Sequence, residues 1–311
     1  MSQNNQQKYI ANTLNNALTN KYLLSTIIGM RYTFKQFKAE YPDDEACLRA
    51  VLENRFGTTC PKCGVVDTKF YPITGRKAFA CLHCRKHVYP LADTIFRKSE
   101  TSLWNWFYAI YLFSVAKNGV SAKELERHLG VTYKTAWRMA KQIRILMQQD
   151  GQILTGTVEM DETYIGGRKK GKSGRGADGK TPVFGMVERY GTVKALVTSE
   201  LSHNVIHPLM RNYVKSDAII NTDSFHLYKS LSKIGYNHST VNHTRKEYVR
   251  GDVHTNTIEG FWGQMKRSID GTYHSVSPKY LQSYVNEFVF RYNFRELAIC
   301  PLLLERAWTL S

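Results

Sequence analysis

Apolar residues recur at helical spacing in the first half of the chain, between residues 99 and 116. The positions are Leu103, Trp106, Phe107 and Ile110. This i, i+3, i+4, i+7 spacing predicts a helix with one face buried in a core. The longest apolar run, residues 106–116, falls short of the ~20 residues that cross a bilayer, so we expect no membrane segment.

The next segment predicts two helices joined by a short turn. Ser121 and Glu124 have the spacing of a capping box, which opens a short helix, and Gly130 supplies the turn. Thr132 then opens a second helix to about residue 147, with apolar residues on one face. Helix, glycine turn and helix is the arrangement of a helix-turn-helix motif.

From residue 156 the pattern changes to short apolar runs of strand length. Strands are predicted over 157–160, 183–188 and 193–198, a helix over 204–214, and a further strand over 218–222. This order of elements predicts an α/β layer built on one mixed sheet.

Beyond residue 254 the apolar residues return to helical spacing. They are Ile258, Phe261, Trp262, Met265 and Ile269. Glu259 lies about 100° from this stripe on a helical wheel, so it can face a sheet edge while its helix stays packed. A capping box with Asn256 is the alternative, in which Glu259 only satisfies a backbone amide.

Length and charge add a class of partner to this picture. A chain of 311 residues predicts two or three domains, and 42% apolar with 12% aromatic residues excludes wholesale disorder. The formal net charge of +17 favours a polyanion, although an acidic membrane surface fits it too. The first 20 residues are rich in Asn and Gln and lack the pattern of a secretion signal, so we expect a cytoplasmic protein.

Four of the six cysteines predict a metal site. They are Cys60, Cys63, Cys81 and Cys84. They form two C-x2-C knuckles separated by 17 residues, a spacing typical of four-thiolate zinc sites. Strands over 69–72 and 77–80 would form the hairpin that joins the knuckles. Four protein ligands leave no position for water, so this zinc is structural. Four unrelated buried thiols are the alternative.

Three acidic residues are candidates for metal-dependent chemistry. Asp161 and Asp223 each follow a predicted strand, so adjacent strands could present both at one sheet edge, and Glu259 is the third acid. Converging carboxylates repel one another unless cations lie between them, and two magnesium ions ~4 Å apart require such ligands. That chemistry cuts or joins phosphodiesters. For the two aspartates the alternative role is a turn at the strand end. Glu162 is a weaker candidate because strand neighbours face opposite ways.

Basic residues cluster on the second helix of the helix-turn-helix segment and in a glycine-rich loop. The helix carries Lys134, Arg138 and Lys141, and the loop carries Arg168, Lys169 and Lys170. The helical stripe is suited to phosphates and guanine edges in a major groove, and the loop does not match a nucleotide P-loop. We assign both to DNA; a solvated surface is the alternative for each.

Several motifs, taken in order, resemble bacterial insertion-sequence DDE transposases of the Merlin-like superfamily. The segments are 60–84, 89–106, 158–167, the stretch around Asp223, 254–262 and 291–295. The resemblance spans about residues 30–295 and implies an RNase H-like catalytic domain, a zinc ribbon and recognition of terminal inverted repeats. The chain departs from the pattern at Asp93-Thr94, where Gly-Thr is expected, which concerns only the local turn.

The resemblance also implies roles for particular residues. Asp161, Asp223 and Glu259 match the catalytic triad and would hold two magnesium or manganese ions, with His254 and Asn256 in supporting roles. Lys266 and Arg267, on the helix of Glu259, join the DNA-binding candidates. The implied partners are double-stranded DNA, from the element ends and the target, and a second copy of the chain in a synaptic homodimer.

These inferences predict a multidomain α/β protein, with an N-terminal zinc ribbon and helix-turn-helix followed by an RNase H-like mixed-sheet catalytic domain. Residues 1–30 form a polar segment, either disordered or helical, and 31–98 the zinc ribbon region. Residues 99–150 form the helix-turn-helix domain and 151–311 the catalytic domain with C-terminal helices. We expect a prokaryotic, nucleoid-associated cytoplasmic transposase that cleaves element ends and transfers strands.

Two other functions stay open at this point. A domesticated regulator would keep the zinc and helix-turn-helix modules without cutting DNA, which the intact set of three acids argues against. A structure-selective nuclease or resolvase on the same fold would cleave without joining, and fold alone does not separate it from a transposase.

Overall fold

The computed structural model describes residues 32–166, 179–245 and 247–309. The helices are α1 (Phe34–Glu40), α2 (Asp44–Phe56), α3 (Leu103–Val115), α4 (Ala122–Leu129), α5 (Tyr133–Leu146), α6 (His203–Tyr213), α7 (Asn256–Ser268), α8 (Pro278–Asn293) and α9 (Ile299–Thr309). The strands are β1 (Phe70–Pro72), β2 (Phe79–Cys81), β3 (His87–Val88), β4 (Thr157–Ile165), β5 (Thr181–Glu188), β6 (Val193–Val197), β7 (Ile219–Asp223), β8 (Asn237–Val241), β9 (Val249–Arg250) and β10 (Val253–His254).

Contacts divide the chain into two compact bodies. Among the described residues, the first contains 32–146 together with 296–309, and the second contains the described part of 147–295. In the first body, α9 packs beside α2, α3 and α5. The sequence instead predicts a single domain over residues 151–311. Whether these boundaries mark independently folding domains stays a prediction.

Helix α3 is the centre of the first body. All four apolar positions that predict its buried face are 0–2% exposed. Ser102 closes the start of the helix by accepting a hydrogen bond from the Asn105 amide. The Phe107 ring lies 6.3 Å from that of Trp308 on α9, so the C-terminal helix completes this core.

Helices α4 and α5 follow the predicted pattern closely. Ser121 accepts a hydrogen bond from the Glu124 amide at 3.1 Å, as the predicted cap requires. Gly130 has φ of 62°, a left-handed conformation that glycine adopts without cost, and it ends α4. The buried face of α5 includes Ala136, Ala140 and Ile143, each 0–1% exposed.

The second body is built on a five-stranded mixed sheet of order β6-β5-β4-β7-β8. Strand β4 is antiparallel to β5 and parallel to β7. One sheet face packs against α6 through Val158, Met160 and Met210. The opposite face packs against α7 and α8 through residues that include Val183 and Trp262. Odd-numbered β4 positions therefore face α7.

Strand β4 is longer than the sequence predicts. It continues to Ile165 instead of ending at Met160, so Asp161 lies inside the strand rather than beyond its end. The continuation is polar, and it is held by antiparallel pairing with β5 up to Ile165 opposite Thr181. Only the parallel pairing with β7 stops at Met160.

Candidate active site and metal centre

The four predicted cysteines come together at the three-stranded sheet β1-β2-β3. Their sulfur atoms all lie within 4.8 Å of one another, and the Cys60 and Cys84 sulfurs are 3.9 Å apart. Among the described residues, no other set of three or more His, Cys, Asp or Glu side chains has ligand atoms this close. Such a four-thiolate cluster fits tetrahedral zinc.

Each cysteine knuckle is a tight turn fixed by backbone hydrogen bonds. The amide of Gly64 bonds the Cys60 carbonyl at 2.8 Å, and that of Arg85 bonds the Cys81 carbonyl at 3.0 Å. The residue after the second cysteine of each knuckle has a positive φ, 73° at Gly64 and 61° at Arg85. The Thr68 hydroxyl, with knuckle amides, lowers the pKa of Cys81 to about 6, while burial and the other three thiols raise the pKa of Cys63 to about 11. Cys81 is therefore the thiol most ready to form the thiolate that a metal binds.

Asp161 and Asp223 lie at matching positions on adjacent parallel strands. The parallel register pairs Met160 with Thr222, and the two aspartates come next on β4 and β7. Both are partly buried. Asp223 also accepts a hydrogen bond from the Phe225 amide at 2.9 Å. It therefore stabilises the turn at the strand end, the alternative role, as well as lying beside Asp161.

Helix α7 lies against the sheet face to which Asp161 belongs. The residue opposite Asp161 on β5 is Gly185, and an added Cβ there would come within 2.4 Å of the Trp262 ring and 3.1 Å of Ile258. The absence of a side chain at this one position lets α7 approach the sheet closely.

Glu259 lies in the first turns of α7 and is not bound in the capping box considered as its alternative. Its carboxylate accepts a hydrogen bond from the Thr255 hydroxyl at 2.7 Å and lies 3.7 Å from Nε2 of His243. Thr255, the N-cap residue of α7, makes no capping hydrogen bond through its side chain. The Glu259 side chain is 45% exposed, which leaves it open to a ligand.

The cap of α7 comes instead from Glu159, a residue that no local sequence pattern marks as a site residue. Its carboxylate accepts hydrogen bonds from the amides of Thr257 at 2.8 Å and Ile258 at 3.1 Å. The Arg189 Nε donates to it at 2.7 Å, and His254 Nδ1 lies 3.1 Å away. Glu159 is fully buried, and it faces α7 as Asp161 does.

The two supporting residues taken from the resemblance flank this network. His254 contacts Glu159 through its ring and accepts a hydrogen bond from Arg189 at its carbonyl, 3.0 Å away. Asn256 is the exposed first residue of α7. Glu162 faces the opposite side of β4, where it accepts a hydrogen bond from the Tyr228 hydroxyl at 2.7 Å.

The surroundings of Asp161 make this carboxyl group hard to ionise. Burial raises the pKa of Asp161 to about 8, with further contributions from Glu162, Asp223 and Glu259. A bound cation would favour the ionised form of Asp161, and the donor set consists of oxygen atoms, which magnesium and manganese prefer.

The basic candidates lie on separate elements. Lys134 and Lys141 are exposed on α5, whereas Arg138 is partly buried, donating to the Arg97 carbonyl at 3.3 Å and lying 5.8 Å from the Trp106 ring. Lys266 and Arg267 are exposed near the end of α7. Arg168, Lys169 and Lys170 lie outside the described residues.

These features define a class of protein, one with a zinc ribbon and a mixed α/β domain bearing clustered acids. Residues 42–87 match the family model of the transposase zinc-ribbon domain, and residues 153–293 match that of the ISXO2-like transposase domain. The chain belongs to the insertion-sequence transposases that carry these two domains, which confirms the predicted resemblance and the predicted fold class.

Two curated proteins illustrate the relationship. An uncharacterised protein in transposable element ISH50 of Halobacterium salinarum is 27% identical over 266 residues, covering 79% of this chain and 89% of that protein. An uncharacterised transposase-like protein of Haemophilus influenzae is 26% identical over 105 residues, covering 34% of this chain and 84% of that protein.

A solved structure shows a weaker similarity. The match is to a simian T-cell lymphotropic virus intasome in complex with PP2A regulatory subunit B56 gamma, at a TM-score of 0.29 and 14% identity. It covers 59% of this chain and 64% of that chain.

Within the described residues, no helix combines the length and apolar character that crossing a membrane requires.

Proposed function

We propose that this transposase cleaves DNA at the terminal inverted repeats of its insertion sequence and joins the freed ends to target DNA, using Asp161, Asp223 and Glu259. The observation that carries the proposal is the placement of the acids. Two lie side by side on parallel strands, and the third projects from a helix fitted onto the same sheet face.

The chain's residues divide the work of this reaction. Asp161, Asp223 and Glu259 would hold two divalent cations, magnesium or manganese. Such a pair, when bound, generates a nucleophile from water or a 3′ hydroxyl and stabilises the leaving oxygen. The raised pKa of Asp161 supports this role, because a carboxyl group that is buried, and also lies near other acids, resists ionisation when no cation is bound. Thr255 restrains Glu259 through its hydroxyl.

DNA binding is assigned to the exposed basic residues on two elements. Lys134 and Lys141 on α5 project from the second helix of the proposed helix-turn-helix domain, a position suited to the major groove. Lys266 and Arg267 lie on the same helix as Glu259. Arg138 contributes less to DNA binding than Lys134 and Lys141, because its guanidinium already contacts the Arg97 carbonyl and the Trp106 ring. Arg168, Lys169 and Lys170 stay candidates by sequence.

The zinc ribbon has a structural part in this scheme. Four thiolates complete the coordination of one zinc ion, so the ribbon offers no open position for chemistry. A cytoplasmic location and a homodimer that brings two element ends together complete the proposal.

Cleavage and strand transfer on labelled DNA carrying the element's own end test the proposal, with magnesium and with the native protein beside Glu259→Gln. We expect the native chain to nick and join, and the variant to bind DNA without doing either. Supplying pre-cleaved ends separates joining from cutting. Cleavage without joining would indicate a nuclease, and binding without cleavage by the native chain would indicate a regulator.

A further inference from the structure

We infer that Glu159 is a positioning residue for the proposed active site, holding the helix of Glu259 in register with the strand of Asp161. The inference rests on the proposed function. The carboxylate is fully buried, yet it lies at the point where strand β4 meets the start of helix α7. It joins these two elements across 98 residues of sequence.

The contacts of Glu159 divide between the first turn of α7 and two basic side chains, Arg189 and His254. On the helix side, the amides of Thr257 and Ile258 and the Thr257 hydroxyl donate to it, the last at 2.9 Å. These amides belong to the first turn of α7, where backbone donors lack helical partners and the helix dipole favours an anion. A carboxylate placed there fixes both the position and the direction of the helix.

A charged pair holds Glu159 itself in place. The Arg189 guanidinium donates to it through Nε and also binds the carbonyls of Asp252 and His254, at 2.6 and 3.0 Å. Arg189 therefore ties the segment that leads into α7 to the same carboxylate. A buried charge without these partners would be strongly unfavourable, so the network forms as a unit.

Both acids lie close in sequence to the residues that make this contact, so the contact fixes their relative position. Asp161 lies two residues after Glu159 on the same face of β4, and Glu259 lies two residues after Thr257 on α7. Because Glu159 supplies the cap, the Thr255 hydroxyl is left to bond Glu259. The distance between strand acid and helix acid is thus set by short, rigid links on both sides.

Two measurements on the zinc-loaded protein test the inference without DNA. The first is amide hydrogen exchange at Thr257 and Ile258 in the absence of added divalent cation. The second is manganese affinity, from titration followed by electron paramagnetic resonance. We expect Glu159→Gln to speed exchange at both amides and to weaken manganese binding about 10- to 100-fold, as loss of an outer-shell partner does.

Matched variants separate positioning from general damage. Glu287→Gln removes another fully buried carboxylate paired with arginine, on α8, and should leave manganese affinity within about 2-fold of the native value. Thr257→Val removes only one hydrogen bond to Glu159 and should weaken manganese binding about 2- to 10-fold; it decides the matter where Glu159→Gln does not fold.

The outcomes distinguish this inference from the proposed function. If Asp161→Asn abolishes manganese binding while the folded Glu159→Gln protein, or Thr257→Val in its place, binds like the native chain, Glu159 has no positioning role and the proposed function stands. If Asp161→Asn binds manganese as well as the native chain, the metal site is wrongly assigned and both conclusions fall.

Discussion

Gly185 lies directly opposite Asp161 on the neighbouring strand, and the Trp262 ring occupies the space that a side chain there would need. A residue with no side chain thereby allows the helix of Glu259 to approach the strand of Asp161. The geometry of the candidate site depends on this packing as well as on its acids.

Substituting Gly185 tests that dependence. In Gly185→Ala the new Cβ would lie 2.4 Å from the Trp262 ring, so the ring or α7 must shift. We expect a loss of about 1 to 3 kcal/mol in unfolding free energy and weaker manganese binding. Gly260→Ala is the control, since a Cβ there meets nothing within 4 Å and alanine favours the helix. Equal stability of native and Gly185→Ala proteins would refute the packing argument.

The raised pKa of Asp161 predicts that this residue lowers the stability of the metal-free protein at high pH. An acid whose pKa rises from 3.8 unfolded to about 8 folded costs nothing below about pH 4, and its cost grows as the pH rises towards 8. Without divalent cations, Asp161→Asn should therefore exceed the native protein in stability by about 1 to 3 kcal/mol at pH 8.

Thermal denaturation at pH 4 and pH 8, in buffer freed of magnesium without a chelator, measures this difference. At pH 4 the two proteins should unfold at the same temperature. Magnesium at pH 8 should stabilise the native chain and leave Asp161→Asn unchanged. A variant that is less stable than the native protein at pH 8 would show that ionised Asp161 is not destabilised by its buried position near other acids.

The cysteine cluster predicts a fixed zinc content. Elemental analysis should find about one zinc ion per chain, and Cys84→Ser should lose most of it together with thermal stability. Cys47→Ser is a suitable control because Cys47 is a buried thiol on α2 outside the cluster. Full zinc content in Cys84→Ser would mean that three thiolates suffice.

The backbone conformation of Asp93 predicts a difference in stability between two substitutions at this position. Its φ of 59° is a left-handed conformation, at the position where the resemblance leads one to expect glycine. Asp93→Gly and Asp93→Ala both lose the exposed ion pair with Arg97, so they differ mainly in backbone strain. Denaturant unfolding should find the glycine variant more stable than the alanine variant by about 1 kcal/mol. Equal stabilities would remove the argument from φ.

The sequence is most informative where a local pattern carries the constraint. The spacing of Cys60 to Cys84 predicts the metal cluster, and the helical spacing around Trp106 predicts a buried helix, because each depends on short stretches of chain. The polar residues after Met160 hide the continuation of β4, and β8 (Asn237–Val241) is too polar to show a strand pattern. Both strands are fixed by pairing with neighbours.

Glu159 shows the limit for the candidate site. Nothing in its immediate sequence separates it from a solvent-facing strand residue, because its partners lie 30 residues away at Arg189 and 98 residues away at Thr257. Only the assembled fold brings a helix start onto that carboxylate. The alternation of β4 could have indicated that Glu159 shares a face with Asp161.

The central claim, that the acids hold catalytic metal ions, is tested most directly by changing the metal preference of one acid. Asp223→Cys should lose cleavage of element-end DNA in magnesium and regain it at least about 10-fold in manganese, because thiolate binds manganese better than magnesium. Asp223→Asn should stay inactive with both metals. Full activity of Asp223→Cys in magnesium would contradict the account.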